Sequence, residues 1–140
     1  MRDFSISVDI EAPPTRVWPV VRDVEHWPEW TASIRSIERL DTGSFAVGSR
    51  ARVRQPRTLP AVWEVTAIDE GRAFTWVTRS LGANATAHHI VDARGNGSRV
   101  TLSVSYGGPL GGMLGQLLRG LTQRYLALEA AGLKRRCDGG

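Results

Sequence analysis

Apolar and polar residues alternate at the start of the chain. In "DFSISVDI" every second position from Phe4 to Ile10 is apolar, which is the period of a half-buried strand at 3–10. The Asn-Gly pair in "RGNGS" is typical of tight hairpins, and the alternation of "RVTLSVSY" follows it directly. Together with other strand-like runs between turn signals, these patterns predict seven strands, the remaining six at 33–41, 48–55, 60–69, 72–81, 84–93 and 99–106.

Two short helices are predicted between the first two strands. Prolines suited to a first helical turn open "APPTRVWPVVRD", and Val17, Trp18 and Val21 follow at helical spacing. Pro19 lacks a backbone donor, so we expect it to kink or shorten this helix. A second short helix or turn is predicted at 24–31.

The apolar period changes from two to between three and four near the end of the chain. This spacing predicts a long amphipathic helix at 109–135, packed through Leu114, Leu117, Leu121 and Leu128. Six strands joined in succession by short turns form an antiparallel meander, and its apolar face needs a cover. The pattern therefore predicts an α+β fold in which the long helix covers the sheet.

Composition is that of a folded globular chain. Its 140 residues are 41% apolar and 23% charged, which predicts a single domain at 1–136, followed by a disordered tail at 137–140. The chain starts without the apolar block of a signal peptide and holds no transmembrane run, so we expect a cytoplasmic protein without an integral membrane segment. The lone Cys137 allows no internal disulfide and no cysteine-based zinc site.

The net charge of +4 is spread along the chain, so we expect no nucleic-acid partner. One local concentration occurs in "SRARVRQPR", where Arg50, Arg52 and Arg54 share one face of a strand. That face is either an ordinary exposed sheet surface or an anion-binding stripe that could contact a partner.

The stretch "VDIEAPPTRVWPVVRDVEHWPEW" resembles the opening of the SRPBCC or START-like superfamily, in particular its polyketide cyclase/dehydrase branch. Later similarities lie at 67–76, at 95–104 and in the glycine-rich entry to the last helix. The matching positions of the opening stretch are Ile10, Ala12, Pro13, Val17, Trp18, Asp23, Trp27, Pro28 and Trp30.

The resemblance implies a helix-grip fold, in which a curved seven-stranded antiparallel sheet wraps around the long C-terminal helix and encloses an apolar cavity. Trp27 and Trp30 would then lie where the short helices support the long one. They would either plug the core for stability or reach the cavity wall and contact a ligand.

Strand alternation identifies the side chains that face this cavity. The small residues Ala51, Ala85 and Ala87 leave volume unfilled, as a pocket requires. Besides the two tryptophans, the predicted ligand-binding residues are Val53, Gln55, Trp63, Phe74, Trp76, Ala87, His89, Leu102, Val104, Tyr106, Leu117, Leu121 and Tyr125.

The pair His88 and His89 does not predict a metal site, because adjacent strand residues point to opposite faces. His89 shares the inward phase, whereas His88 points outward. His89 and Tyr106 are candidate catalytic residues, since an imidazole titrates near working pH. Alternatively, His89 is an interior residue that only hydrogen-bonds Tyr106 or a ligand.

Three functions remain open, none requiring a cofactor or metal. The first is binding or carrying a small hydrophobic molecule such as a polyketide or lipid. The second is a polyketide cyclase/dehydrase that promotes aldol closure and dehydration. The third is a START-like protein-interaction module or lipid-quinone carrier, with the arginine face as its contact surface. The glycine-rich "GGPLGGMLG" is either a flexible gate or a turn, and the chain is either a monomer or a homodimer.

Overall fold

The computed structural model describes residues 2–138, within which seven strands form one antiparallel sheet. Its spatial order is β1-β7-β6-β5-β4-β3-β2, so the first strand pairs with the last and the others follow as a meander. The strands are β1 Arg2–Ile10, β2 Ser36–Arg39, β3 Arg50–Arg54, β4 Ala61–Asp69, β5 Ala73–Ser80, β6 Ala83–Arg94 and β7 Gly97–Gly107.

Helices occupy both of the predicted places. Helix α1 (Pro14–Arg22) and a 3₁₀ helix (Val24–Glu29) follow β1, and Pro19 lies inside α1. At the end of the chain, α2 (Gly111–Leu117) and α3 (Arg119–Asp138) pack against the sheet. The predicted α+β helix-grip fold is confirmed.

The long helix differs in detail from the continuous 109–135 that the sequence predicts. It is interrupted at Leu118, whose φ of −95° and ψ of 8° leave the helical region. Glycines 111, 112, 115 and 120 flank the interruption and lower the helical propensity there. The apolar stripe is rotated as a result: Leu117 is exposed instead of packed, Leu128 is half-buried, and Leu126 and Leu133 carry the buried face.

The last helix also continues further than predicted. It ends at Asp138, whose carboxylate accepts a hydrogen bond from the backbone N–H of Glu11 at 2.7 Å. Cys137 is buried, so the first two residues of the expected disordered tail belong to the helix. Gly139 and Gly140 lie outside the described residues.

Two strands depart from the pattern for local reasons. Strand β2 is much shorter than the predicted 33–41, because Ser33 turns back to bond Thr31 through its side chain and its backbone N–H. Strand β4 contains a bulge between Val65 and Ala67. Such bulges increase local twist and bend the strand, which helps the sheet to curve around α3.

The two tryptophans of "DVEHWPEW" have different neighbours. Trp27 donates from Nε1 to the carbonyl of Val21 at 3.0 Å and packs on Trp76 and His89. Trp30 lies against α3, where a Cβ added to Gly132 would stand 1.8 Å from the Trp30 carbonyl oxygen. Trp30 therefore plugs the core, and only glycine allows α3 to approach it so closely.

Gly132→Ala is expected to lower the free energy of unfolding by about 3 kcal/mol, because the new methyl group meets backbone that cannot move aside cheaply. Urea denaturation followed by circular dichroism measures this change. Gly120→Ala is the matched control in the same helix. Its Cβ would meet nothing within 4 Å, so it should be neutral or stabilising by up to about 1 kcal/mol. Equal effects of the two substitutions would contradict the close contact.

Candidate functional site

A cavity of about 220 Å³ lies between the concave face of the sheet and helices α2 and α3. Its walls are mainly apolar and aromatic. The small side chains of Ala61, Ala85 and Ala87 face Leu118, Leu121 and Leu126, which leaves the space between sheet and helix unfilled. Leu59 and Thr58 of the loop between β3 and β4 reach its mouth.

Most of the predicted ligand-binding residues line this cavity, and three do not. Trp30 packs on α3, Leu117 points to solvent, and Phe74 lies behind the His89 ring in the aromatic core. The residues that do line it are Trp27, Val53, Gln55, Trp63, Trp76, Ala87, His89, Leu102, Val104, Tyr106, Leu121 and Tyr125.

His89 is held tightly at the wall of the cavity. Its ring stacks on Phe74 with centroids 4.2 Å apart, and Nδ1 donates to the Phe74 carbonyl at 3.4 Å. Burial lowers the pKa of His89 from 6.5 to about 3, so the imidazole is neutral near pH 7 and Nε2 is left as an acceptor. His88 lies on the outer face of the sheet, as the alternation predicts, with its Nδ1 2.8 Å from Oγ1 of Thr75.

Tyr106 forms a polar contact with α3 at one end of the cavity. Its hydroxyl lies 2.7 Å from Oγ1 of Thr122, and its ring meets Phe4 edge-on at 6.0 Å. Burial raises the pKa of Tyr106, which keeps the phenol protonated at working pH. This pair can donate to or accept from a polar group of a ligand.

Glu129 is a cavity-lining carboxyl group that the sequence analysis missed. The Ser33 hydroxyl donates to Oε2 of Glu129 at 3.3 Å, and Oγ1 of Thr31 lies 2.8 Å from the Ser33 hydroxyl oxygen. Burial raises the pKa of Glu129 from 4.5 to about 7, more than the Ser33 hydrogen bond lowers it. One signal was available in the sequence, since Glu129 follows Thr122 and Leu126 on the same helical face.

The two polar contacts are well separated along the cavity. Thr122 and Glu129 are seven residues apart on α3, which places them about 10 Å from each other at roughly 1.5 Å per residue. Between them on α3, Leu126 and Tyr125 line the wall. A molecule that fills the cavity therefore meets two polar contacts, one near Thr122 and one near Glu129.

The loop between β3 and β4 is held against α3 by one hydrogen bond. Tyr125 donates its hydroxyl proton to the carbonyl of Pro56, and Tyr125 also lines the cavity. The same loop contains Arg57 at a φ of 69°, a left-handed backbone conformation that is unfavourable for residues other than glycine. This loop and α2 together frame the mouth.

Other candidate sites are less developed. On the predicted arginine face, Arg52 pairs with Glu38 at 3.2 Å, while Arg50 and Arg54 are exposed. Within residues 2–138, no three His, Cys, Asp or Glu side chains come together as a metal site would require. No helix among the described residues is long and apolar enough to cross a membrane.

A family model described as "Polyketide cyclase / dehydrase and lipid transport" matches residues 1–138. The chain belongs to this family. Membership in the polyketide cyclase/dehydrase and lipid transport family confirms the resemblance of the opening stretch, and it agrees with an apolar interior built to receive a ligand. Among curated proteins, none matches the sequence.

Solved structures share the fold of this polyketide cyclase/dehydrase family member at low identity. TTHA0849 from Thermus thermophilus is 22% identical, with a TM-score of 0.77 over 97% of both chains. The Zhui aromatase/cyclase from Streptomyces sp. R1128 is 14% identical, with a TM-score of 0.79 over 98% of this chain and 93% of that one. Norcoclaurine synthase from Thalictrum flavum is 14% identical, with a TM-score of 0.75 over 97% and 93%.

Glu129 and His89, two buried titratable groups of the cavity, act on stability in opposite directions. The native state keeps the Glu129 proton up to about pH 7, so the stability from Glu129 is present below pH 4.5 and lost as the pH rises through 7. His89 stays neutral in the native state, so its contribution is present above pH 6.5 and lost as the pH falls towards 3. Between pH 4.5 and 6.5 the two effects oppose each other.

Glu129→Gln should remove the contribution of Glu129 to the pH dependence of stability. From pH 5 to pH 8, the free energy of unfolding of the wild type is expected to fall by about 2 kcal/mol relative to the variant, since only the wild type must ionise a buried carboxyl. Urea denaturation at intervals of pH measures the difference, with Glu11→Gln at an exposed position as control. A difference that does not change with pH would show that Glu129 ionises normally.

Proposed function

We propose that this protein binds a small, largely apolar molecule between the sheet and α3. The observation that carries the proposal is the cavity itself, about 220 Å³ within a core of close-packed side chains. Protein interiors leave few voids larger than a water molecule, because each void forfeits contacts. Space retained behind Ala85 and Ala87 therefore points to an occupant.

The size of the cavity limits what fits inside it. An apolar cavity of roughly 150 Å³ takes up benzene, whereas sites for drug-sized ligands occupy roughly 300–1,000 Å³. At about 220 Å³, this cavity accommodates a molecule of one or two rings. A longer polyketide or a lipid chain would extend past Leu59 into the mouth.

The polar pairs define which apolar molecules are held best. Protonated Glu129 donates a hydrogen bond to a ligand carbonyl, and Nε2 of His89 accepts one from a ligand hydroxyl. Tyr106 and Thr122 provide a second contact at the other end. The favoured ligand is thus an aromatic or acyl compound with an oxygen at one end or at both.

Ala87→Leu is expected to weaken binding of 1-naphthol at least tenfold, because the larger side chain occupies the space between Trp76 and the helix. Binding is measured by titrating tryptophan fluorescence, since Trp27, Trp63 and Trp76 line the cavity. Ala67→Leu, on the exposed face of β4, is the matched control and should bind as the wild type does. Equal loss in both variants, or no saturable binding to the wild type, would contradict the proposal.

Glu129 supports a second candidate function, catalysis of cyclisation and dehydration. A carboxyl group with a pKa of about 7 can both accept and donate a proton near neutral pH, as general acid–base catalysis requires. In aldol closure the group takes a proton from the carbon next to a carbonyl and returns it to the alkoxide formed on the attacked carbonyl. In dehydration it takes the second proton from that carbon and returns it to the departing hydroxyl, which leaves as water. Tyr106, at the other end of the cavity, would bind a more distant carbonyl of the substrate, while neutral His89 would orient the substrate without taking its proton.

Carrier and enzyme are distinguished by one variant. If the protein is a cyclase/dehydrase, Glu129→Gln should lower the rate of ring closure of a linear poly-β-keto substrate by roughly 10²–10⁴-fold. Its affinity for 1-naphthol should change much less, because glutamine keeps the shape and a hydrogen-bond donor. Product formation is followed by chromatography, with Glu11→Gln as control. A rate that is unchanged in Glu129→Gln would remove Glu129 as the catalytic group and leave binding alone.

A further inference from the structure

The mouth of the cavity is surrounded by apolar side chains that no part of residues 2–138 covers. Leu81, in the turn between β5 and β6, is 99% exposed, and Leu59, in the loop between β3 and β4, is 86% exposed. On α2, Leu117 is 73% exposed, and Leu110 and Met113 are about half exposed. Single exposed leucines are ordinary, but an exposed cluster of them marks an interaction site.

These side chains belong to three segments that the structure brings together. The backbone N–H of Leu110 donates to the carbonyl of Gly82 at 2.8 Å, which joins α2 to the β5–β6 turn. The hydrogen bond from Tyr125 to Pro56 joins the β3–β4 loop to α3. We call the exposed side chains of the three segments the apolar rim: Leu59, Leu81, Leu110, Met113 and Leu117.

Helix α2 contributes to the rim because it is apolar on two faces. Leu114 and Leu118 line the cavity, whereas Leu110, Met113 and Leu117 recur at helical spacing on the neighbouring side, roughly 90° around the axis. The apolar face of a helix is normally buried. Here the outer side is open, so a second apolar surface is needed to cover it.

The charges around the rim are of one sign. Arg57 in the β3–β4 loop, Arg79 at the end of β5, and Arg119 and Arg124 on α3 are exposed, and none forms an ion pair among the described residues. Residues 55–60, 78–84 and 107–126 contain no Asp or Glu. Asp3 lies at the same end of the sheet but on its outer face.

We propose that the apolar rim docks the mouth of the cavity onto an anionic phospholipid surface. Leucines at a turn and at a loop tip can enter the acyl region, while the arginines remain at the level of the phosphates. A second copy of this chain fits less well, because a symmetric dimer would bring the two sets of arginines together. Docking opens the cavity directly towards the membrane, which gives an apolar ligand a route that avoids water.

Co-sedimentation with vesicles tests the proposal on the full-length protein. Vesicles of phosphatidylcholine and phosphatidylglycerol in equal parts should bind the protein, and vesicles of phosphatidylcholine alone should bind it at least tenfold less. Raising the salt from about 0.1 M to about 1 M shortens the screening length from roughly 10 Å to 3 Å and should release it. Absence of binding to the anionic vesicles would overturn the proposal.

Two sets of variants identify the surface that binds. Leu81→Ser combined with Leu117→Gln should lower binding to the anionic vesicles at least tenfold, since both leucines leave the acyl region. Leu40→Ser combined with Val47→Ser, which removes exposed apolar side chains elsewhere, should leave it unchanged. Arg57→Gln combined with Arg79→Gln should also lower binding about tenfold or more. Equal binding by wild type and rim variants would overturn the proposal.

The alternatives give different results in the same assays. A dimer that forms through the rim would be detected by light scattering as a higher molecular mass, which should decrease in the Leu81→Ser/Leu117→Gln variant. Such a dimer without vesicle binding would overturn the proposal. The proposal would likewise be overturned if the protein bound an acidic protein partner and did not sediment with the vesicles. Leu81 and Leu117 do not line the cavity, so these variants should bind 1-naphthol normally. Ligand binding and membrane docking can therefore fail separately.

Discussion

The architecture depends on the contact between α3 and the backbone of Trp30. Gly132 lets the helix come so close to the Trp30 carbonyl that no side chain fits between them. Around this contact, Leu133 and Cys137 are fully buried, whereas Leu114, Leu118 and Leu121, further from it, are only half-buried. Packing is thus tight around Gly132 of α3 and looser towards α2, and the cavity occupies the loosely packed part.

Burial in this cavity suppresses charge of either sign. Desolvation lowers the pKa of His89 and raises that of Glu129, so both groups are predominantly neutral over much of the range between pH 3 and 7. Each retains hydrogen-bonding capacity: Nε2 of His89 accepts, and the Glu129 carboxyl donates. The interior therefore presents polar contacts without fixed charge, which suits a neutral ligand better than an ionic one. The first charged side chains that such a ligand meets are outside, at the mouth.

Sequence patterns predicted the order of elements well, because alternation and helical spacing are local properties. They also placed His89 and His88 on opposite faces of β6, as the pleat requires. The patterns could not show whether an inward-facing side chain reaches the cavity. Phe74 faces inward, yet the His89 ring separates it from the cavity. Nor could they show the interruption at Leu118, which turns Leu117 outward, or the role of Glu129. A glutamate in a helix normally indicates a solvated face, and its burial here depends on Ser33, 96 positions away in sequence.

The helix at the mouth of the cavity has little stability of its own. Helix α2 has no side-chain N-cap, contains three glycines in "GGMLGQL", and is short enough that its own hydrogen bonds stabilise it little. It keeps its place through contacts with β1, β6 and β7 and through the close approach of Gly111 to Tyr106. A molecule in the cavity adds contacts to Leu114 and Leu118, so binding and the ordering of α2 stabilise each other. The same linkage applies to any surface that covers the outer leucines, because it too acts on α2. A molecule inside the cavity and a surface that covers the outer leucines therefore affect each other's binding through α2, at the mouth of the cavity.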